Sequence, residues 1–538
     1  MTPRHRIRLA CVVAASIGVV QPSATAAAAT PDGATPSPPE ATEALERPDD
    51  LPAQTAPDLA WSILKDSTAM SYQGFVSVQV NVDADGANIP GDAANEPSIA
   101  VDPTNPERMA IGWRQFDSVA SNFRQAGWGW SDDRGRTWAF PGVFTRGVFR
   151  SDPVLEADGD GRFYYYSLKG TLLCDFFFSD NGGASWTGPR SAYGGDKQWF
   201  AIDRTDGPSR GHIYASWSLA QNPWGERVFI RSTDGGQTFS EPIVLDPAPI
   251  WGTVTVDADG ALYLAGNASF NRSVFVVYRS LDAWDAGVDP TFDAFTVYLG
   301  GRQQATIGGP NPEGLVGQLW IDADRTDGPS RGDLYIVASL DPSGGDPQDV
   351  HFVRSSDRGE TWSLPVRVNT DDRDAWQWFA TMAVAPNGRI DVVWVESLTE
   401  AEPNIGQLVY AFSADGGSSW STPVATSPVF NSWRGWPNQS KLGDYYDMAS
   451  DDTGADLAYA ATFNNEQDVY YMRVWADCDG NGASDAYDMW LGRVRDCNGN
   501  TVPDTCEIVE SPDIDSDADG IIDACVTPPR GSGGRVIP

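Results

Sequence analysis

Short apolar runs alternate with Asp, Asn, Gly and Pro along the chain from residue 74 to residue 475. Runs such as "RMAIGWRQF", "HIYASWSL", "DLYIVASL" and "RIDVVWVE" carry Val, Ile, Tyr and Trp, which favour strands. Short runs of this kind, bounded by turn formers, predict β-strands rather than helices. We therefore expect residues 74–475 to form an all-β domain.

The strands recur as seven similar units. Each unit opens with an apolar strand closed by an Asp/Gly turn, and these opening strands begin at residues 96, 152, 198, 252, 318, 378 and 444. A second, a third and usually a fourth strand follow. Four short antiparallel strands that repeat along a chain are typical of a propeller blade. We predict a β-propeller of seven blades, with six blades as the alternative.

Five related octapeptides follow third strands: "SDDRGRTW" (131–138), "SDNGGASW" (179–186), "STDGGQTF" (232–239), "SSDRGETW" (355–362) and "SADGGSSW" (413–420). "SLDAW" (280–284) is interpreted as a decayed copy. An Asp side chain can accept hydrogen bonds from backbone amides two residues on, and Gly accepts positive φ. Because a catalytic group is needed once, we interpret the octapeptides as turns between third and fourth strands.

The seventh unit ends at "DVYYMRVW" (468–475) and lacks both an octapeptide and a fourth strand. Near the N-terminus, "VSVQVNVDADG" (76–86) is similar to the fourth-strand segment "LPVRVNTDD" (364–372). We expect the N-terminal strand to complete the last blade and close the ring. Such closure removes the exposed edges of a sheet.

The octapeptides resemble Asp boxes, the bacterial neuraminidase repeats of the sialidase superfamily, over residues 75 to 475. The resemblance implies a propeller whose boxes lie away from the active site. In the enzymes of that family, three arginines bind the substrate carboxylate, a Tyr nucleophile pairs with a Glu, and an Asp is the acid/base. The Phe-Arg-Ile-Pro motif of the first arginine is absent here, and "FRSDP" (149–153) is a distant echo. The resemblance therefore implies the fold without implying the activity.

Residues just before the opening strands should converge on one mouth of the central channel. If the chain is a hydrolase, the candidate catalytic residues are Glu96, Asp152 and Asp196 as carboxylates, Tyr445 as hydroxyl and Arg114 as anion contact. The candidate ligand-binding residues are Lys197, Gln198, Trp251, Gln318, Gln377 and Asp444. Carboxylates beside aromatic rings suit sugar binding, a metal or acid/base work. Polar residues that merely line a solvated channel are the alternative.

Charge and targeting signals narrow the class of protein. Lys and Arg total 37 against 74 Asp and Glu, which gives a formal net charge of -37 and disfavours nucleic acid as a partner. Three arginines, an apolar run and "ATA" (24–26) predict a signal peptide over residues 1–26, followed by a Pro- and Ala-rich linker over 27–73. No later run is long enough to span a membrane. We expect a secreted, extracellular or periplasmic protein.

A separate calcium-binding segment is predicted over residues 476–526, with a disordered tail over 527–538. "DCDGNGASDAYD", "DCNGNTVPDTCE" and "DSDADGIIDAC" place oxygen-bearing side chains at EF-hand spacing, and Ca²⁺ takes six to eight oxygen ligands. The candidate ligands are Asp477, Asp479, Asn481, Asp485, Asp488, Asp496, Asn498, Asn500, Asp504, Glu507, Asp515, Asp517, Asp519 and Asp523.

This segment resembles thrombospondin type 3 repeats, and its first loop resembles a dockerin loop. Its four cysteines are Cys478, Cys497, Cys506 and Cys525, which allow three pairings, and export favours disulfides. The number of residues between Cys478 and Cys497 equals that between Cys506 and Cys525, which suggests these two pairs. The other pairings remain open.

Three functions remain open. The favoured one is a secreted, calcium-stabilised propeller that binds a glycan or a protein at its channel mouth. The alternatives are an exo-sialidase-type glycoside hydrolase and a scaffold component that docks through its dockerin-like calcium loops. The absent arginine motif disfavours the hydrolase, and one good dockerin loop followed by cysteine-rich variants disfavours docking.

Overall fold

The computed structural model describes residues 68–73, 75–268, 271–304, 309–474, 493–495, 497, 503–510, 512–517 and 520–525. The segments predicted as signal peptide and C-terminal tail, and most of the predicted linker, lie outside these ranges. Within them the chain forms thirty-one strands, arranged as seven antiparallel sheets of four or five strands each. The fold is therefore an all-β, seven-bladed propeller, and the prediction of seven blades is confirmed.

Blades one to three follow the predicted order of four strands each. Blade one contains β3 (Ala93–Val101), β4 (Met109–Phe116), β5 (Gln125–Ser131) and β6 (Ala139–Val143). Blade two contains β7 (Arg150–Ala157), β8 (Phe163–Lys169), β9 (Cys174–Ser179) and β10 (Thr187–Ser191). Blade three contains β11 (Trp199–Ile202), β12 (Ile213–Ser216), β13 (Arg227–Ser232) and β14 (Ile243–Val244).

Blades four to six keep this order, and in two of them a first or last strand is split. Blade four contains β15 (Pro249–Ile250), β16 (Val254–Val256), β17 (Leu262–Ala268), β18 (Asn271–Ser280) and β19 (Asp293–Val297). Blade five contains β20 (Trp320–Ala323), β21 (Leu334–Leu340), β22 (Asp349–Ser355) and β23 (Val366–Arg367). Blade six contains β24 (Gln377–Val384), β25 (Ile390–Thr399), β26 (Glu402–Ser413), β27 (Val424–Ala425) and β28 (Phe430–Asn431).

Blade seven joins the two ends of the propeller. It contains β1 (Ala69–Tyr72), β2 (Phe75–Gln79), β29 (Asp447–Asp451), β30 (Gly454–Ala461) and β31 (Asp468–Val474). Strand β2 pairs with β31 in the register Ser77 to Met472 and Gln79 to Tyr470. The N-terminal strand thus completes the last blade, as the sequence predicts. Strand β1 adds a fifth strand from within the segment assigned to the linker.

The octapeptides form turns after third strands. In the first copy, Gly135 N donates to Ser131 Oγ at 2.9 Å, and Thr137 N donates to Asp133 Oδ1 at 2.9 Å. The decayed copy keeps this arrangement in another form, because Thr291 N donates to Asp282 Oδ1 at 2.8 Å although nine residues separate them. The Ser and Asp side chains therefore hold the turn even where the octapeptide has been lost.

In the described part of the C-terminal segment, the chain forms one short helix, α1 (Asp504–Glu510), and two 3₁₀ turns, Pro512–Ile514 and Asp523–Cys525. Cys497 and Cys525 form a disulfide with their Cα atoms 5.8 Å apart. The suggested pairs of 478 with 497 and 506 with 525 are therefore wrong, because each shares a cysteine with this bridge. Among the residues that the structure describes, no helix is long and apolar enough to cross a membrane.

Candidate functional site

Seven residues with positive φ surround one end of the channel, one in each blade, at or just before the inner strand. We call them the collar: Glu96, Asp152, Lys197, Trp251, Gly317, Phe379 and Gly443. Five of the seven are not glycine, with φ between 45° and 57°. Bulky residues rarely adopt such angles and persist there only when the surrounding structure fixes them. The collar is thus a site where backbone strain concentrates.

Contacts with neighbouring blades hold the collar residues in place. Lys197 N donates to Asp152 Oδ2 at 3.2 Å, and Leu319 N donates to Trp251 O at 3.0 Å. A Cβ atom at Gly443 would lie 2.7 Å from Glu96 Cγ, so this position requires glycine. The strained conformations are therefore held by contacts between blades.

A charged cluster is built on the collar. Its members are Glu96, Arg114, Arg124, Asp152, Asp196, Lys197, Lys441 and Asp444. Lys197 lies at its centre, with Nζ at 3.0 Å from Asp152 Oδ2, 3.4 Å from Asp196 Oδ1 and 2.8 Å from Asp444 Oδ2. Only 5% of the Lys197 side chain is exposed. Buried charges are tolerated only when they are paired, so Lys197 and its carboxylates depend on one another.

Glu96 connects the cluster to blade one and to the segment before blade seven. Its carboxylate lies 3.2 Å from Arg114 Nε and 3.2 Å from Lys441 Nζ, and Lys441 Nζ lies 2.6 Å from Asp444 Oδ2. Arg114 Nε also donates to Asn95 Oδ1 at 2.8 Å. The cluster is therefore continuous from blade one through blade seven to blade three.

Arg124 is the fourth cation of the cluster. It is fully buried, its Nε donates to Ser151 Oγ at 3.2 Å, and its guanidinium lies 4.7 Å from the Phe149 ring. Burial lowers the pKa of Arg124 to about 10, although Asp152 and Asp444 act in the opposite direction. Four cationic and four carboxylic side chains thus meet at one mouth.

Burial and ion pairing shift the carboxyl groups in opposite directions. Burial raises the pKa of Glu96 to about 8, against the effects of Arg114 and Lys441. Burial also acts to raise the pKa of Asp152, but Lys197 and Arg114 outweigh it and hold that pKa below its ordinary value. Asp152 is therefore a fixed anion, and Glu96 is the carboxyl group of the cluster that titrates near neutral pH.

Tyr445 belongs to an aromatic plug in the channel. Its ring centre lies 5.3 Å from that of Trp199, which in turn lies 5.1 Å from that of Trp320. The Tyr445 hydroxyl donates to Pro153 O at 2.8 Å, and burial raises its pKa well above the ordinary value. A neutral, engaged hydroxyl of this kind is a packing group and a poor nucleophile.

A recess opens beside the cluster between blades three and four. Its lining includes Lys197, Trp217, Ser218, Trp251 and Thr253. Trp217 Nε1 and Ser218 Oγ are buried and have no hydrogen-bond partner among the described residues. Buried polar groups in native proteins are nearly always satisfied, by protein, water or ligand. The recess therefore presents an unused donor and an unused hydroxyl.

The three candidate glutamines have different surroundings. Gln198 Nε2 donates to Asp152 O, while Gln198 Oε1 is buried without a partner in the described chain. Gln318 is buried, and neither of its amide atoms has a described partner. Gln377 Nε2 donates to Asp371 Oδ2 at 3.3 Å, and none of its described hydrogen bonds reaches the cluster. The structure thus brings Gln198, but not Gln377, to the charged residues.

Two segments, 309–317 and 430–446, join one another above the cluster, and we call them the cover. Leu442 N donates to Asn311 Oδ1 at 2.8 Å, and Asn311 Nδ2 donates to Gly443 O at 2.7 Å. Leu315 N donates to Asp444 Oδ1 at 2.8 Å. The cover therefore attaches directly to a member of the cluster and contributes to its burial.

The candidate calcium ligands are only partly described. Asp515, Asp517 and Asp523 each bring a carboxylate oxygen within 4.8 Å of the other two. Gly520 N donates to Asp515 Oδ2 at 2.9 Å, which curves the loop around these groups. Asp504 Oδ1 instead accepts from Cys497 N at 2.8 Å. The ligands predicted at 477, 479, 481, 485, 488, 496, 498, 500 and 519 lie outside the described residues.

Sequence reasoning missed several members of the site: Arg124, Trp217, Ser218 and Lys441. Only Lys441 had a usable signal, since it stands three residues before Asp444. Trp217 and Ser218 directly follow the second strand of blade three, and Arg124 directly precedes β5. No periodic pattern distinguishes such positions from ordinary core or loop positions.

No protein-family model and no curated protein matches the chain. Among solved structures, it is similar to a protein of unknown function from Dyadobacter fermentans, with 13% identity and a TM-score of 0.38 over 76% of this chain and 98% of that one. It is similar to Trypanosoma rangeli sialidase, with 12% identity and a TM-score of 0.37 over 76% of this chain and 58% of that one.

A further similar structure is YCF48 bound to D1 peptide, with 11% identity and a TM-score of 0.38 over 77% of this chain and 100% of that one. The chain spans less than two thirds of the length of the sialidase. At these scores the similarities carry no weight for function. The class of protein, a seven-bladed propeller with a charged and covered channel mouth, follows from the strands and side chains themselves.

Proposed function

We propose that the protein is a secreted, non-catalytic propeller that binds a neutral, hydroxyl-rich ligand such as a glycan at the covered channel mouth. The observation that carries this proposal is the group of buried polar atoms without a described protein partner there: Trp217 Nε1, Ser218 Oγ and Gln198 Oε1. Each such atom costs roughly 1–3 kcal/mol when it stays unsatisfied. The recess beside Trp217 and Ser218 has room for about one water-sized group, so a single hydroxyl of the ligand would enter it and recover this energy.

The ion pairs that already exist in the cluster support a neutral ligand. Arg114 already bonds Glu96 and Asn95, and Lys197 already contacts three carboxylates. A sialic acid carboxylate would have to displace these partners and leave buried carboxylates without cations. Breaking a buried pair in this way typically costs 3–5 kcal/mol. An anionic sugar is therefore a poor ligand for this mouth.

The positions of the candidate catalytic groups argue against hydrolysis. Asp152 is held as an anion by Lys197, so it has no proton to donate as a general acid. Tyr445 is packed against Trp199 and donates its hydroxyl to a backbone carbonyl. Glu96 has a proton near neutral pH, but its side chain is fully buried between Arg114 and Lys441.

The test is binding of the purified protein to an array of neutral and sialylated glycans, followed by hydrolysis assays with aryl glycosides that include a sialoside. We expect binding to neutral glycans, no turnover, and weaker binding by Trp217→Phe, which keeps the ring and removes the N–H. Trp284→Phe, at an exposed indole on blade four, is the matched control and should bind normally. Turnover that Asp152→Asn abolishes would show a hydrolase instead.

A second candidate function is calcium binding by the C-terminal loop, which the convergence of Asp515, Asp517 and Asp523 favours. Carboxylate oxygens at this spacing suit Ca²⁺, which would supply the charge that holds the loop closed. Extracellular calcium modules bind with Kd of roughly 10⁻⁴–10⁻³ M. Calorimetric titration should show such a site, and Asp517→Asn should weaken it at least tenfold. Glu402→Gln, at an exposed position on blade six, is the control.

A further inference from the structure

A buried pair of aspartates lies at the seam, which is the contact between the segment 80–95 and the turn 462–468 where the propeller ring closes. Asp92 and Asp468 are 3% and 0% exposed. Asn81 Nδ2 donates to Asp468 Oδ1 at 2.7 Å and to Asp92 Oδ2 at 3.5 Å, so one amide group bridges the two carboxyl groups. The pair therefore joins the N-terminal to the C-terminal part of the ring.

The same segments carry the other hydrogen bonds of the closure. Val80 N donates to Val469 O at 2.8 Å, and Val469 N donates to Asn81 Oδ1 at 3.0 Å. Ala94 N donates to Gln467 O at 2.7 Å. Any repulsion between the two aspartates would consequently act directly on the strands that close the ring.

No cation neutralises this pair within the described part of the chain, since no ion pair there includes Asp92 or Asp468. Gln115 and Asn464, which donate to them at 2.7 and 2.6 Å, are neutral. The remaining titratable groups that face them are Glu466, in the same turn, and Tyr470, on β31.

The neighbouring segment adds no positive charge to the pair. Arg434 is exposed beside Gly435, whose backbone packs against Glu466, and it forms no described ion pair with either aspartate. Two buried carboxylates without a counter-charge would each require several kcal/mol of desolvation, so the folded seam holds a proton.

Asp92 Oδ1 is the atom best placed to carry that proton. It is buried without a described partner, whereas Asp92 Oδ2 accepts hydrogen bonds from Gln115 and Asn81. Burial and Asp468 raise the pKa of Asp92 well above its ordinary value, and burial raises the pKa of Asp468 to about 7. A metal ion is the weaker alternative, because Asp92, Asp468 and Glu466 do not bring three oxygens within 4.8 Å of one another, unlike Asp515, Asp517 and Asp523.

We propose that the ring closure is a proton-dependent latch, which is tight when the Asp92–Asp468 pair holds one proton and loosens when both carboxyl groups are ionised. The open segments expose both groups to water and ionise at ordinary aspartate pKa values, so closing the ring takes up a proton. The closing equilibrium then falls with rising pH, by up to tenfold per pH unit for one proton, until the folded group itself ionises.

The test is hydrogen–deuterium exchange of β2 and β31 at about pH 6 and about pH 8.5, with Asp92→Asn and wild type compared at each pH so that intrinsic exchange rates cancel. The Asn amide reproduces the protonated acid, with its NH₂ at the Oδ1 position. We expect Asp92→Asn to be the better protected protein at both pH values, because it closes the ring without taking up a proton. We expect the deficit of wild type to grow about tenfold from the lower to the higher pH.

Equal protection of the two proteins at the higher pH would overturn the latch. Restoration of wild-type protection by millimolar Ca²⁺ would also overturn it, because the pair would then hold a cation. Asp372→Asn, at an exposed position, controls for the loss of one charge and should follow wild type. If Asp92→Asn does not fold, Asp468→Asn provides the same comparison.

Discussion

Lys197 and Asp444, which belong to blades three and seven, form an ion pair of 2.8 Å although 247 residues separate them in the chain. The pair spans the channel mouth and is shared with Asp152 and Asp196. Lys197→Met should therefore remove the cation that three buried carboxylates share, although Asp444 keeps its contact with Lys441. We expect a loss of about 3–5 kcal/mol in the free energy of unfolding, measured by urea denaturation.

A second variant, at a more exposed lysine, serves as the comparison for Lys197→Met. Lys169→Met removes another lysine that pairs with a buried aspartate, Asp175, but this lysine is 27% exposed and its partner also contacts Arg150. The loss there should stay below about 1 kcal/mol. Equal effects of the two substitutions would show that the cluster has no special energetic role.

Tyr445→Phe tests whether this residue packs or reacts. The change removes the hydrogen bond to Pro153 O and keeps the ring against Trp199. We expect a loss of about 0.5–1.5 kcal/mol in stability and unchanged glycan affinity. Loss of a measurable turnover in this variant, without loss of stability, would indicate a nucleophile.

Glu96→Gln tests the pH dependence of the mouth. The pKa of Glu96 rises from 4.5 to about 8 on folding, so the folded protein binds one extra proton between these values. The contribution of Glu96 to stability is therefore complete at low pH and is lost as the pH rises through this window. We measure the free energy of unfolding by urea denaturation from about pH 5 to about pH 9. It should fall with rising pH less steeply in Glu96→Gln than in wild type, by up to about 1.4 kcal/mol per pH unit. An unchanged slope would mean that Glu96 is ionised throughout.

The turn side chains can be compared between a complete and a decayed octapeptide. Asp357 Oδ1 accepts from Thr361 N at 2.8 Å, and Asp282 Oδ1 accepts from Thr291 N at the same distance. Asp357→Ala and Asp282→Ala should each cost about 1–2 kcal/mol in thermal or urea denaturation. If Asp282→Ala leaves the stability unchanged, the decayed copy no longer contributes to folding.

The fold was predictable because its signal repeats. The repeated features support one another: there are seven opening strands, five octapeptides and one unmatched N-terminal strand, and all of them fit the same seven-unit pattern. The collar was predictable in part, since Asp152, Lys197 and Trp251 all stand at the start of an inner strand. Gln377 was misaligned relative to that pattern: the collar residue of blade six is Phe379, two positions further on.

The rest of the site could not be predicted, for physical reasons. Arg124 and Trp217 lie beside second or third strands, and their burial in the mouth depends on how blades pack together. Asp92 is an ordinary loop residue in sequence. Its partner Asp468 lies 376 residues later, and only closure of the ring brings the two together. Long-range contacts of this kind leave no local pattern.

The most direct test of the account is titration of neutral and sialylated oligosaccharides into wild type and Trp217→Phe, with product analysis of the same samples. We predict that a neutral glycan binds, that Trp217→Phe weakens its binding about tenfold, and that no sugar is released. Release of sialic acid by wild type, abolished by Asp152→Asn, would contradict the account, because it would place a working hydrolase at a mouth that we describe as a binding site.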